Sequence, residues 1–287
     1  SPGLRDQWPD TFDRTEAVRL GVAKLTEAKA NGIDTMVDLT TIDLGRDVPL
    51  FAEIVRQVEM QVIVATGIWR QVPRFFHLRS PDVAADLFVR DITQGIQGTG
   101  IRAGIIKCAT DDTGVTEPIE IALRASARAH RRTGVPISTH TDAEKQVGLD
   151  QQRIFAEEGV DLTRVVIGHS GDTENLDYLK KVADAGSYLG MDRFGLHNYL
   201  PTDRRVQVVA ALCKQGYADR MVLSHDASCH SDSRTPEYLA KRFPDWRYTH
   251  IPQDVIPALL EAGVTQAQID QMTRENPRRI FERTGAY

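Results

Sequence analysis

The sequence predicts a single domain, residues 1–287, folded as an α/β (β/α)8 TIM barrel, and three observations carry that reading. Short apolar runs alternate with helical stretches along the whole chain, an alternation that means parallel strands joined by helices. Several runs end in a polar residue of metal-ligand or acid–base type: GIIK, PISTH, VVIGH and MVLSHD carry Lys107, His140, His169 and Asp226. Polar tips spread over several strands favour closure into a barrel, which gathers its chemistry at the carboxyl ends of its strands. An open doubly wound sheet would instead recruit ligands from only a few strands at one crevice.

The elements follow in order. A first helix is expected over 15–30, with Val18, Leu20, Val22 and Leu25 as its apolar side and Asn31-Gly32 as its stop. IDTMVDLT then reads as a strand, 50–59 as a helix and VIVATG as the second strand. Helical sequence between 82 and 95 precedes AGIIKCAT, and a helix over 118–132, stopped by Gly134, leads into VPISTHT. Helices over 150–158, 174–185 and 202–215 precede RVVIGHS, GSYLGMDR and DRMVLSHD respectively, and a helix over 265–283 closes the chain. That makes seven strands where a barrel of this type has eight. The eighth, first in order, is expected upstream of Ser1. Residues 227–252 lack periodicity but contain Phe243, Trp246 and Tyr248, and are expected to form an ordered loop over the barrel mouth.

Composition narrows the function classes. The chain is 41% hydrophobic and 26% charged, the balance of an ordinary globular domain. A net charge of -5 and a pI near 5.9 argue against general nucleic-acid binding. No apolar run is long enough for a membrane span, and no signal peptide is visible at the N-terminus. Cys108, Cys213 and Cys229 are too few and too scattered for a disulfide framework, and are expected as reduced thiols in a cytoplasmic protein.

Side chains alternate along a strand, so Lys107 is expected on one face with Ile105, His140 with Ser138, His169 with Ile167 and Asp226 with Ser224. His225 and Cys108 then point into the helix layer. Two imidazoles and a carboxylate suit zinc, and also cobalt, manganese or iron. An ammonium repels a cation, but burial favours the neutral amine, and a neutral lysine can add carbon dioxide to give a carbamate. Taken singly these residues have plainer readings: core histidines, a Schiff-base lysine, a turn-capping aspartate. His77, His130, His197, His230 and His250 lack strand-tip context and are read as non-ligands.

The segments IKCAT, STHTD, IGHSGDT and LSHD, with TGIW and MDRFG, resemble the phosphotriesterase family of the amidohydrolase superfamily, nearest in kind to its lactonases. The resemblance runs from about Trp8 onward. It implies a binuclear centre bridged by carboxylated Lys107, with His140 and His169 on the more exposed metal and Asp226 on the more buried one. The buried metal of that family also takes a His-x-His from the first strand; no His-x-His occurs in this sequence, and it is expected with that strand upstream of Ser1. The resemblance further implies proton handling by Asp226, with Arg193 behind it and Asp172 paired to Arg193. Trp69 stands where many lactonases of the family have a tyrosine; Trp69, Arg193 and Trp246 are its expected substrate contacts. The implied activity is the opening of lactones, N-acyl-homoserine lactones foremost, with some phosphotriesterase activity. A primary organophosphate triesterase and a non-catalytic ligand-binding barrel are the alternatives. The resemblance also implies a homodimer acting on a small molecule.

Overall fold

The computed structural model describes residue 5 and residues 7–231, 234–282 and 285–287. Seven parallel strands form one curved sheet in sequence order: β1 (Thr35–Asp38), β2 (Gln61–Gly67), β3 (Ile105–Ala109), β4 (Ile137–His140), β5 (Val165–Ile167), β6 (Tyr188–Met191) and β7 (Met221–Leu223). Each neighbour pairs in parallel through a right-sized helical crossover, and the architecture is that of a (β/α)8 barrel with these seven strands among the described residues.

The helices between them are α1 (Arg14–Ala30), α2 (Val48–Val55), α3 (Pro81–Thr93), α4 (Glu117–Thr133), α5 (Gly148–Glu157), α6 (Leu176–Asp184) and α7 (Thr202–Lys214). Their starts are written in the sequence. Asp13, Asp47, Ser80 and Asn175 each accept a hydrogen bond from a backbone N–H of the first turn, and proline opens α2, α3 and α4 in or next to its first position. The inward side of α1 matches the expected one in part: Leu25 is in the core cluster and Val18 and Val22 pack against it. Ala17, Gly21, Leu25 and Ala28 are buried, while Val18 and Val22 are only half-covered and Leu20 lies off that side. Size explains it: a Cβ at Gly21 would collide with Ile54, so α1 approaches α2 through its small residues.

Register fixes two layers. The partners Lys107↔Ser138, Ser138↔Val166 and Val166↔Tyr188 share one face, as do Ala109↔His140. Ile106, Cys108, Ile137, Ile167, Leu189, Met191 and Met221 alternate with them and pack with the helices in the main core. Cys108 and Lys107 therefore point to opposite sides, as alternation requires. For His169 and Asp226 alternation was carried too far. β5 stops at Ile167, which belongs to the helix-facing core, and β7 stops at Leu223. His169 and Asp226 lie beyond those ends with φ of 60° and 55°, so the turn, not the pleat, aims them.

Residues 227–252 hold more order than a bare loop. They contain α8 (Pro236–Arg242), capped by Thr235, and run into a π-helical turn, Ile251–Val255, followed by α9 (Ile256–Glu261). The closing helix is broken into α10 (Gln266–Asp270), a π turn (Gln271–Glu275) and α11 (Asn276–Glu282). Its expected end at Arg283 lies outside the described residues, as does the Ser1 end of the chain. Among the described residues no helix is long and apolar enough to cross a membrane.

Candidate active site

Two glycines let the strand ends come close. Gly67, at the end of β2 with φ of 116°, would drive a Cβ into the carbonyl oxygen of Lys107, and Gly168 would do the same to that of Thr139. Only glycine permits this backbone approach. It brings the ends of β2, β3, β4 and β5 into one cluster.

Lys107 lies on β3 with its side chain almost wholly buried, and its Nζ donates to the Thr139 carbonyl at 2.8 Å. Burial pushes its pKa down, against the pull of the Asp226 and Asp192 carboxylates, so the neutral amine is favoured relative to a lysine in water. His140, at the tip of β4, is buried and its pKa is driven down by burial, with His169, Lys107 and Arg193 adding to the effect. The two imidazoles stand perpendicular, centroids 4.5 Å apart, with His140 Nδ1 2.9 Å from His169 Nε2. His169 Nδ1 donates to Asp192 Oδ1 at 2.6 Å, and its backbone N–H donates to Asp192 Oδ2 at 2.9 Å. Burial alone would raise the Asp192 pKa; His169, as charge and as donor, and Arg193 outweigh it and bring the carboxyl down to about 2. Asp192 thus fixes the His169 ring so that Nε2 carries its lone pair into the site.

Asp226 is reached by Arg193 Nε at 3.3 Å, and its side chain keeps 43% exposure, open to the barrel mouth. Arg193 Nη1 donates to Asp172 Oδ2 at 2.7 Å. Burial lowers the guanidinium pKa, but Asp172, Asp226 and Asp192 together more than reverse this, so Arg193 is a fixed cation. Arg193 also lies over the Tyr199 ring, 4.4 Å from its centroid. Trp69 meets His140 edge-on, centroids 5.4 Å apart, and forms a half-buried wall beside it. Three backbone N–H groups, of Trp69, Arg70 and Gln71, donate to Asp43, which holds that loop in shape. Trp246 is farther round the rim: its indole N–H donates to the His225 carbonyl at 2.9 Å, and it stacks edgewise on Phe243.

The donor set fits one cation at the histidine pair. Two ligand nitrogens about 2.0–2.1 Å from a tetrahedral zinc stand roughly 3.3 Å apart, so a small opening of the 2.9 Å pair would admit an ion. Asp192 behind His169 is the carboxylate–histidine arrangement that orients ligating imidazoles. Among the described residues, no three His, Cys, Asp or Glu side chains already stand together as a cage. The Asp226 carboxylate is turned to Arg193, and Lys107 offers an oxygen donor only once carboxylated.

Sequence reasoning missed Asp192 and Arg205. Asp192 follows β6 in GMDR and obeys the same strand-tip rule as the four residues that were singled out. Arg205 is wholly buried on α7, on the face shared with Val209 and Leu212. A cation within that apolar stripe was its signal.

A barrel with buried imidazoles, a buried lysine and an arginine-held carboxylate at its strand ends is the layout of a hydrolase of the amidohydrolase kind. The chain belongs to the phosphotriesterase family: the family model matches residues 5–281. It is 51% identical over 294 residues to a phosphotriesterase homology protein of Mycobacterium tuberculosis (strain ATCC 25618 / H37Rv), covering 99% of this chain and 90% of that one. It is 43% identical over 285 residues to an aryldialkylphosphatase of Saccharolobus solfataricus, covering 98% and 91%, and 31% identical over 265 residues to an N-acetyltaurine hydrolase of Danio rerio, covering 88% and 73%. The solved structure of the phosphotriesterase from Mycobacterium tuberculosis superposes with a TM-score of 0.96 at 51% identity, covering 100% of this chain and 92% of that one. The protein is a hydrolase, of a family known for binuclear metal dependence.

Proposed function

We propose that the protein is a binuclear metal-dependent hydrolase whose main reaction is the opening of lactones, N-acyl-homoserine lactones first among them, with phosphotriesters as secondary substrates. The observation that carries the reading is the facing pair of His140 Nδ1 and His169 Nε2, with Asp192 locking the second ring. Lys107 would serve as the bridging ligand after its neutral amine takes up carbon dioxide and releases a proton. His140 and His169 would hold one cation, and Asp226 would contribute to the other. Two bound divalent cations supply an acidified water and polarise the substrate oxygen; zinc fits the nitrogen-rich set, with cobalt, manganese and iron as alternatives.

The chain's own residues do the rest. Asp226, half-exposed at the mouth, accepts the proton released as water attacks and returns it to the leaving alkoxide. Arg193 keeps that carboxylate oriented and shields it from its neighbours' charge. Asp172 in turn keeps Arg193 aimed. Trp69 excludes water on the His140 side and shapes the pocket, while Trp246, tied to the strand 7 loop, lines the side where residues 227–252 would receive an acyl chain. A phosphotriester shares the tetrahedral geometry that an opening lactone passes through, so one site stabilises both. The expected homodimer and cytoplasmic setting belong to this same proposal.

A second reading, a primary organophosphate triesterase, is favoured by the 43% identity to the aryldialkylphosphatase. Metal content of the purified protein, with rates on a lactone series, one aryl dialkyl phosphate and one N-acyl aminosulfonate, separates them. The lactone reading expects about two ions per chain and the largest kcat/KM on a lactone of the series. A larger kcat/KM on the phosphotriester would overturn it in favour of the second reading, and a preference for the amide would overturn both.

A further inference from the structure

Arg205 is the largest wholly buried side chain in the described protein, and each of its three nitrogens donates, four hydrogen bonds in all, to three segments. Its Nε donates to the Leu200 carbonyl at 2.8 Å, and its Nη1 donates to the carbonyls of Gly171 at 2.6 Å and Asp192 at 2.9 Å. Its Nη2 donates to Asp172 Oδ1 at 2.6 Å. Those acceptors are not scattered. Gly171 and Asp172 belong to the turn that follows His169, and Asp192 immediately precedes Arg193. His169 and Arg193 both sit at φ of 60°, a region costly for residues with a side chain. Such turns persist only where the surroundings over-determine them.

We propose that Arg205 is a positioning residue for hydrolysis, which holds Asp172, and through it Arg193, so that the Arg193 guanidinium faces Asp226. The carboxylate of Asp172 is divided between two arginines: Oδ1 takes Arg205 and Oδ2 takes Arg193. With Oδ1 occupied, Asp172 cannot rotate away from Arg193 without leaving the Arg205 cation unpaired in the interior, which is costly. The second anchor, Nη1 on the Asp192 carbonyl, pins the backbone that carries both Asp192 and Arg193. One buried guanidinium thereby couples the His169 turn to the Asp226 contact, although it touches neither substrate nor any expected metal ligand. The inference rests on the hydrolase reading for its kinetic consequence, but its structural consequence stands alone.

The test uses Arg205→Lys and, one link further along, Asp172→Asn, each in the full chain and purified with metal. Lysine keeps the charge but has a single donor centre in place of the planar fork. On whichever substrate the wild-type protein hydrolyses best, kcat is expected to fall about ten- to a hundredfold in each variant, while KM and metal content stay within about threefold of wild type on the same scale. The double variant is expected to lose no more than the worse single one, because both break the same chain. A crystal structure of Arg205→Lys is expected to show Arg193 turned away from Asp226. An Arg193–Asp226 contact kept as in the native protein would overturn the proposal whatever the substrate proves to be. So would native kcat in a folded Arg205→Lys, or losses that multiply in the double variant. Should Arg205→Lys fail to fold, Arg205→Gln takes its place: native kcat there overturns the proposal, and a kcat loss with KM and metal content unchanged supports it.

Discussion

Replacing Asp192 by Asn probes the arrangement behind His169 directly. The carboxylate accepts two hydrogen bonds from one residue, from the ring at 2.6 Å and from the backbone N–H at 2.9 Å. Asparagine keeps one acceptor oxygen and puts an amide donor in the other position. The lost contact is a hydrogen bond to a charged group in a site only 13% exposed, a class worth about 1.5–3 kcal/mol. At roughly 1.4 kcal/mol per factor of ten, that equals about ten- to 150-fold in the free energy of holding the ring for a cation. Removal of a carboxylate behind a ligating histidine commonly weakens metal by about ten- to a hundredfold, the same scale. The assay is competition with a chelator of known affinity, read as the apparent Kd for zinc of each protein. Asp192→Asn is expected to release its weaker-bound ion at chelator concentrations that leave the native protein loaded. A Kd within about threefold of native would refute the assignment of Asp192 as the orienting group.

Other substitutions follow from the same geometry. Lys107→Ala should strip metal and activity together, with partial recovery in millimolar propionate; retention of two ions without added carboxylate, measured by atomic absorption, would refute the bridge. Trp69→Tyr should change the ratio of lactone to phosphotriester rates severalfold and leave metal content intact, because Trp69 packs on His140 without donating to it. His130 is buried between the Val135 carbonyl and the Tyr287 hydroxyl, and burial lowers its pKa. The unfolded chain therefore takes up a proton below about pH 6.5 that the folded chain refuses, and stability falls as pH drops from there towards the depressed folded value. His130→Gln should lessen the loss of urea midpoint between pH 7.5 and 5.5, and an undiminished loss would refute this origin.

The fold was legible because each strand is an apolar run of a few residues set between capped helices; six of the seven strands fall inside the expected runs, and β2 begins one residue earlier, at Gln61. Backbone beyond the strand ends was not legible. Alternation along VVIGH places His169 beside Ile167, yet the chain turns left-handed at His169 and the rule lapses. In α1 the expected Val18, Val22 and Leu25 do pack in the cluster with α2, but hydrophobicity gave no sign that Ala17 and Gly21 would be buried with them. Order in residues 227–252 was expected from the aromatic residues, but its helix was hidden because α8 is short and almost wholly exposed, so no apolar stripe marks it. Lys107, His140, His169 and Asp226 could be picked out by position and type alone. Arg205 showed only as a cation within an apolar helix stripe; what it holds was not legible, since its partners are mostly backbone carbonyls, which leave no trace in residue identity.

The left-handed turns at His169, Arg193 and Asp226 bear on how this protein could be re-engineered. At those three positions any replacement must satisfy a backbone shape that few amino acids accept, so a randomised library there would be filled with unstable clones before chemistry was ever sampled. The rim behaves differently: Trp69 and residues 234–248 sit on capped or hydrogen-bonded segments in ordinary conformations. Diversity aimed at new substrates is best spent on that rim, with the strand-end turns kept as inherited.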